Sequence, residues 1–290
     1  MSKKIRICFV QAFAYAVFNP ESSAKIGGAE VDLYNIAKEL VKDERFDVYF
    51  LVADFGQEEL EIYDNIKVVK GHSQEKSMLN YFTAFLKFYK KLVKINADIY
   101  FTANLSKYVG FTNLYCKLAR KIHIHRTEHQ HQVNRKKLLK HVFKGESRYI
   151  LFLLGYINVN HIVVQNEEDR VMLKKTFNYP SNVIRNSYPI KRLNNKNRKF
   201  ILWVARSEKW KQPEIFIKLA KAFPTEKFVM IMPMANDPIY FRKIKNKAMK
   251  LNNLRFIPGV PFSEVEEFYQ NAKLFINTSS SDGFPNSFNQ

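Results

Sequence analysis

The stretch Ile5-Arg6-Ile7-Cys8-Phe9-Val10 is almost continuously apolar, as a parallel strand covered on both faces must be. After a loop, Ile26-Gly27-Gly28-Ala29-Glu30 leads into Val31, Leu33, Tyr34, Ile36, Ala37, Leu40 and Val41, which recur at helical spacing. Asp47-Val48-Tyr49-Phe50-Leu51-Val52 then restores a strand. Strand, glycine turn, helix and strand in this order open a doubly wound α/β sheet, because parallel neighbours are joined only through a crossover.

The alternation continues. The pattern predicts a short strand over Lys67–Val69, an amphipathic helix over Met78–Lys94, a strand over Asp98–Thr102, a helix over Lys107–Arg120, and strands over Lys121–His125 and His161–Gln165. Leu193-Asn194-Asn195-Lys196-Asn197-Arg198-Lys199 is polar, basic and aperiodic, and reads as a linker. Beyond it come strand Phe200–Ala205, helix Pro213–Phe223 with proline suited to a first turn, strand Lys227–Met232, helix Pro238–Leu251, strand Leu254–Ile257, helix Ser263–Asn271 and strand Lys273–Asn277. The expected organisation is α/β with two Rossmann-like domains: residues 1–192, the linker 193–199, and a second domain over 200–290 that stops part-way, so the chain reads as truncated.

A length of 290 residues suits two domains, and 46% hydrophobic content excludes a disordered or low-complexity chain. The net charge of +20 points to anionic partners: nucleic acid, phosphorylated small molecules or acidic lipid headgroups. Cys8 and Cys116 lie in apolar stretches without metal-type spacing and read as buried thiols, which favours a reducing cytosol. The longest uncharged apolar run, Tyr149–Ile157, is too short to cross a bilayer, which takes about 20 residues.

Three segments carry groups suited to chemistry. Gly27-Gly28-Ala29-Glu30 opens a helix, where glycines let backbone approach a ligand and exposed N–H groups favour a phosphate or carboxylate; the spacing is not GxGxxG, and two plain turn glycines are the alternative. Arg206-Ser207-Glu208-Lys209-Trp210-Lys211 follows a strand, so Arg206 and Lys211 can face the crevice at its carboxyl end and hold a diphosphate, or form a solvated basic loop. Asn277-Thr278-Ser279-Ser280-Ser281-Asp282-Gly283-Phe284-Pro285-Asn286 combines small hydroxyl residues, an acid and free backbone amides, a set suited to a sugar and its phosphate.

Together with Ile257-Pro258-Gly259-Val260 and Phe275-Ile276-Asn277-Thr278-Ser279, this last segment resembles the donor site of family 4 retaining glycosyltransferases of the GT-B fold, and the three motifs stand in that family's order. The resemblance implies two Rossmann-like domains facing across a cleft. It implies that the chain moves a sugar, with retention, from a nucleotide-diphosphate sugar to a hydroxyl of a saccharide or lipid-linked acceptor in cell-surface polysaccharide synthesis, without a metal or other cofactor. Arg206 and Lys211 would clamp the diphosphate, Asp282 would accept hydrogen bonds from sugar hydroxyls, and Gly283, Phe284 and Asn286 would offer amides, with Gly27 and Gly28 as the N-domain glycine loop. Gln290, eight residues after Asp282, falls where the family's second motif glutamate contacts ribose; both motif acids are thus altered. An inactive binding or scaffolding relative is the alternative these changes raise.

The resemblance also places an N-domain residue near the anomeric centre, in the histidine-rich stretch 121–131. His129 is the candidate for it, with His131 next. His125, His129 and His131 have a spacing that permits a metal site, but no carboxylate or cysteine completes the ligand set. From Lys117 to Arg148 ten basic residues face two acids, interleaved with Leu138, Leu139, Val142 and Phe143, which suits peripheral contact with an anionic membrane from the cytoplasmic side. The aromatic stripe Tyr81, Phe82, Phe85, Phe88 and Tyr89 suits the same surface or core packing. No nucleic-acid motif accompanies the charge.

Overall fold

In the computed structural model, which describes residues 3–22, 27–71, 81–128, 130–186 and 198–280, the strands β1 (Ile5–Val10), β2 (Phe46–Val52), β3 (Leu60–Tyr63), β4 (Ile66–Lys70), β5 (Ile99–Ala103), β6 (Ile122–Arg126), β7 (His161–Val164) and β8 (Asn182–Val183) form one sheet. Its order is β3-β4-β2-β1-β5-β6-β7-β8, parallel throughout except for the β3–β4 hairpin. The hairpin turn, Asp64-Asn65, holds both residues at positive φ (48° and 66°), the conformation that matches a two-residue connection to strand twist. This sheet belongs to the first of two compact units, residues 1–187 and 188–290; the expected linker lies, over 193–197, outside the described residues.

The apolar run of β1 divides by strand periodicity. Ile7 and Phe9 join Val48, Phe50, Leu33 and Ala37 on one face, packed under α2 (Gly28–Leu40), which follows the short α1 (Tyr15–Phe18). Cys8 and Val10 join Leu51, Phe88, Leu92, Tyr115 and Cys116 on the other, under α3 (Tyr81–Ile95) and α4 (Lys107–Ala119). Full burial of each such side chain contributes about 1.5–3 kcal/mol. Both cysteines are free and buried.

In the aromatic stripe of α3, Phe88 is buried in the core and Phe85 and Tyr89 are half-buried against neighbouring rings, while the side chains of Tyr81 and Phe82 lie outside the described residues. Phe85 packs on Phe111 with ring centroids 5.0 Å apart, Phe88 on Tyr108 at 5.2 Å, and Tyr89 on Tyr115 at 5.4 Å.

Residues 130–177 add α5 (Gln130–Val133), α6 (Arg135–Phe143), α7 (Ser147–Tyr156) and α8 (Glu167–Phe177), none of them foreseen as helices. Leu138, read as part of a membrane face, is instead buried with Val133, Phe152 and Leu173, while Phe143 stays exposed. Helices α4 and α7 meet through glycines. A Cβ on Gly110 would lie 2.3 Å from the Leu151 carbonyl oxygen, and one on Gly155 would lie 2.6 Å from the Val109 carbonyl oxygen.

The second unit contains β9 (Phe200–Val204), β10 (Phe228–Ile231), β11 (Leu254–Ile257) and β12 (Ala272–Phe275), all parallel, in the order β11-β10-β9-β12. α9 (Pro213–Ala222) and α10 (Pro238–Ala248) cover a core of Trp203, Phe216, Phe228, Met230 and Ile244; α11 (Phe262–Asn271) covers Leu202, Val229 and Ile231 from the other side. Pro213 and Pro238 start their helices, and the Asp237 side chain caps α10 by accepting from the Tyr240 N–H at 2.8 Å.

Candidate active site

In a doubly wound sheet a ligand crevice opens at the carboxyl ends of the strands where the order reverses. In the second unit that point lies between β9 and β12. The segments leaving these two strands are the ones that carry Arg206, Lys211 and Thr278, and they are tied together. The Trp203 indole Nε1 donates to Thr278 Oγ1 at 2.9 Å, and the Thr278 hydroxyl donates to the Lys211 carbonyl at 2.6 Å. The Ser280 N–H donates to the Trp210 carbonyl at 2.9 Å. Residues Lys209–Lys211 form one 3-10 turn that ends at Gln212, whose φ of +48° lets the chain reverse into α9.

Ser207 fixes the other side of this loop. Its N–H donates to the Pro233 carbonyl at 3.0 Å, and its Oγ accepts from the Ala235 N–H at 2.8 Å. Arg206 is exposed and Lys211 half-buried, its Nζ 4.1 Å from the Trp210 ring centroid. The loop backbone is thus locked while two cationic side chains stand at the sheet edge. Asp282, Gly283, Phe284, Asn286 and Gln290 lie outside the described residues.

In the first unit the order reverses between β1 and β5. Gly27 caps α2 in an extended conformation, and Gly28 begins the helix. A Cβ on Gly27 would lie 2.7 Å from Glu30 Oε2, so the glycine makes room for a carboxylate folded back over the start of its own helix. Gln11, just past β1, donates to Glu30 Oε1 at 2.6 Å.

A buried charged cluster continues from there. Arg126, at the end of β6, pairs with Asp32 of α2, and its Nη2 donates to Asn186 Oδ1. Arg126 Nε also stands 3.6 Å from Glu128 Oε1, and Gln165 donates to Glu128 Oε2 at 2.7 Å. The Glu128 N–H donates to Gln132 Oε1 at 2.5 Å. Burial pushes the Glu128 carboxyl up to about 7 and the nearby Glu30 adds to this, against the opposing pull of Arg126 and Gln165. Asp32 and Glu128 share the Arg126 guanidinium, and Glu128, desolvated and with Glu30 near by, is a carboxyl that titrates near neutral pH. No local spacing announces this cluster, because its members come from the ends of β1, β6 and β7 and from α2; Glu30 lies in the glycine motif and Arg126 and Glu128 in the histidine-rich stretch, with nothing in the sequence to join them.

His129 lies outside the described residues, and His131 is exposed on α5. His125 is a core residue. Asn113 donates to the Asn158 carbonyl at 3.0 Å and with the same amide nitrogen meets His123 Nδ1 at 3.4 Å, so His123 carries its proton on Nε2, 2.9 Å from Thr102 Oγ1. The Thr102 hydroxyl then donates to His125 Nδ1 at 2.9 Å. Burial holds His123 down to about 3, and burial followed by the His123 neighbour depresses His125, so both rings are neutral. Among the described residues no three His, Cys, Asp or Glu side chains gather as metal ligands.

Residues 26–192, more than half of the chain, match the family described as Glycosyltransferase Family 4, and residues 185–288 match Glycosyl transferases group 1. The chain belongs to glycosyltransferase family 4.

Its fold is of the GT-B type. Sucrose-phosphate synthase from Thermosynechococcus elongatus superimposes with a TM-score of 0.68 at 13% identity, over 97% of this chain and 77% of that one. The catalytic domain of starch synthase IV from Arabidopsis thaliana, bound to ADP and acarbose, gives 0.66 at 12% identity, over 96% and 79%. The UDP-GlcNAc 2-epimerase from Neisseria meningitidis, bound to UDP-GlcNAc, gives 0.57 at 13%, over 94% and 76%. The same fold therefore carries transferases and epimerases, and the family matches, not the likeness of fold, make this glycosyltransferase a transferase. No curated protein matches the chain. Among its described residues no helix is long and apolar enough to cross a membrane.

Proposed function

We propose that this glycosyltransferase takes a nucleotide-diphosphate sugar in its second unit and passes the sugar, with retention, to a hydroxyl of a saccharide or lipid-linked acceptor held by the first unit, in cell-surface polysaccharide synthesis. The observation that carries the reading is the Thr278 bridge, which fixes the Arg206–Lys211 loop at the β9–β12 switch point and brings two cations to the strand ends. Arg206 and Lys211 hold the diphosphate. As the bond between the anomeric carbon and the diphosphate oxygen breaks, they stabilise the charge left on the leaving group, the acceptor oxygen bonds to the same face of the sugar, and the hydroxyl proton is released.

Asp282 receives the sugar hydroxyls, and Gly283, Phe284 and Asn286 supply amides. Gln290 meets the ribose, His129 stands at the anomeric centre, and the Gly27-Gly28 turn lets backbone approach the substrate. Two cations do the work that a metal would otherwise do, so the reaction needs no metal or other cofactor. The protein works on the cytoplasmic side, in peripheral contact with anionic membrane.

A panel of nucleotide sugars tests this, read as donor hydrolysis or transfer together with nucleoside diphosphate binding. Turnover of one donor is expected, and Arg206→Ala or Lys211→Ala should lower kcat by about 10²–10³. No turnover and no diphosphate binding across the panel would overturn the reading.

A further inference from the structure

Helices α4 and α7 run side by side in the same direction. Gly110 lies against Leu151 and Gly155, while further along Lys117 donates to Asn158 Oδ1 at 2.6 Å, just beyond α7. With no side chain between them at the glycines, their outward residues share one surface. Leu114 and Leu118 stand on it one turn apart, beside Ile150, Leu154 and Ile157 at helical spacing, and each is between 37% and 67% exposed. Single exposed apolar residues are ordinary, but a stripe of five across two coupled helices marks an interaction site.

Charge surrounds the stripe. Where α4 ends, Lys117, Arg120, Lys121, Asn158 and Asn160 line a hollow of about 350 Å³. On the other flank α6 packs against α7 and exposes Arg135, Lys136, Lys137 and Lys140. Residues 107–121 contain no acid; Lys121 Nζ stands 3.8 Å from Asp98 Oδ1, and Glu146, the one acid over 130–148, is occupied by His141 at 2.6 Å.

We infer that the α4–α7 face docks on the anionic phospholipid leaflet, with the five-residue stripe in the acyl boundary and the Lys117–Arg120–Lys121 hollow around a headgroup phosphate. This deepens the proposed membrane contact and rests on it. The apolar stripe supplies binding that salt does not abolish, and the cations supply the preference for anionic lipid.

The test is flotation of the whole chain with vesicles of phosphatidylcholine alone or mixed with phosphatidylglycerol, without nucleotide. The wild type is expected to partition onto the anionic vesicles. Leu118→Glu with Leu154→Glu should reduce that partitioning at least about tenfold. Lys117→Gln with Arg120→Gln should remove the preference for anionic over neutral vesicles. Leu154→Trp should shift its fluorescence to the blue when anionic vesicles are added.

Equal partitioning of the double glutamate variant and the wild type would overturn this face while leaving membrane contact standing. No partitioning by the wild type would overturn both. A dimer that the glutamate variant splits, recruited by neither vesicle, would assign the face to a second copy and overturn the inference. Donor hydrolysis in solution, unchanged in the glutamate variant, keeps these outcomes separate from failure of the transferase reading.

Discussion

Replacing Thr278 with valine keeps its shape and removes its hydroxyl, the one atom that links β9, the Arg206–Lys211 loop and the segment after β12. Two hydrogen bonds go, each contributing about 1 kcal/mol net, and the indole N–H of the buried Trp203 loses its acceptor, at a further cost of about 1–3 kcal/mol. Thr278→Val should therefore lose about 3–5 kcal/mol, a large share of the roughly 5–15 kcal/mol that stabilises a domain. Thr278→Ser keeps the oxygen and should lose far less. Denaturant unfolding measures this directly.

Ligand affinity responds separately from stability. If Lys211 is placed by this bridge, nucleoside diphosphate affinity, measured by calorimetry well below the unfolding transition, should fall about tenfold in the valine variant, since a charged hydrogen bond of about 1.5–3 kcal/mol loses part of its alignment. A valine variant that loses the stability but binds diphosphate as the wild type does would refute the placement of Lys211 by Thr278.

Two further outcomes follow from groups away from the diphosphate loop. The folded pKa of Glu128, about 7, lies above its ordinary value of 4.5, so the native state binds its proton more tightly and the carboxyl costs stability as pH rises from about 4.5 to about 7, by about 3 kcal/mol in all. His123 and His125, both depressed, act oppositely as pH falls below 6.5, so the readout is the difference between wild type and Glu128→Gln; that difference should change across pH 4.5–7 and be flat above, and a difference independent of pH would contradict the buried proton. Gly155→Ala puts a methyl group 2.6 Å from the Val109 carbonyl oxygen, where only backbone movement relieves it, and should lower stability by about 2–4 kcal/mol in thermal unfolding; a neutral effect would show that α4 and α7 separate easily.

The alternating architecture was legible because it depends on local periodicity. Ile7 and Phe9 against Cys8 and Val10 announce a strand buried on both faces, and Pro213 and Pro238 mark their helix starts. The Asp64-Asn65 hairpin carried a turn signal that went unread beside the stronger parallel strands. Helix α6 is hidden by its charge, since Arg135–Lys140 looks like a solvated run until Leu138 is seen to be buried under it, whereas α7 shows in the sequence only as the uncharged apolar run Tyr149–Ile157. The Arg206–Lys211 loop was visible as residues, but its rigidity comes from Trp203 and Thr278, far apart in sequence. The Glu30–Asp32–Arg126–Glu128 cluster depends on tertiary placement alone.

Each unit opens a helix with an acid in its first turn. In α2, Glu30 lies across the helix start and makes that end an acceptor of hydrogen bonds. In α9, the first-turn acid Glu214 accepts from the Tyr240 hydroxyl at 2.8 Å, and neither α2 nor α9 carries a side-chain cap hydrogen bond. Each first-turn carboxylate is thus held by a donor from a neighbouring element, Gln11 for Glu30 and Tyr240 for Glu214, so the position of the negative charge beside each helix start is set by tertiary contacts and not by the helix itself.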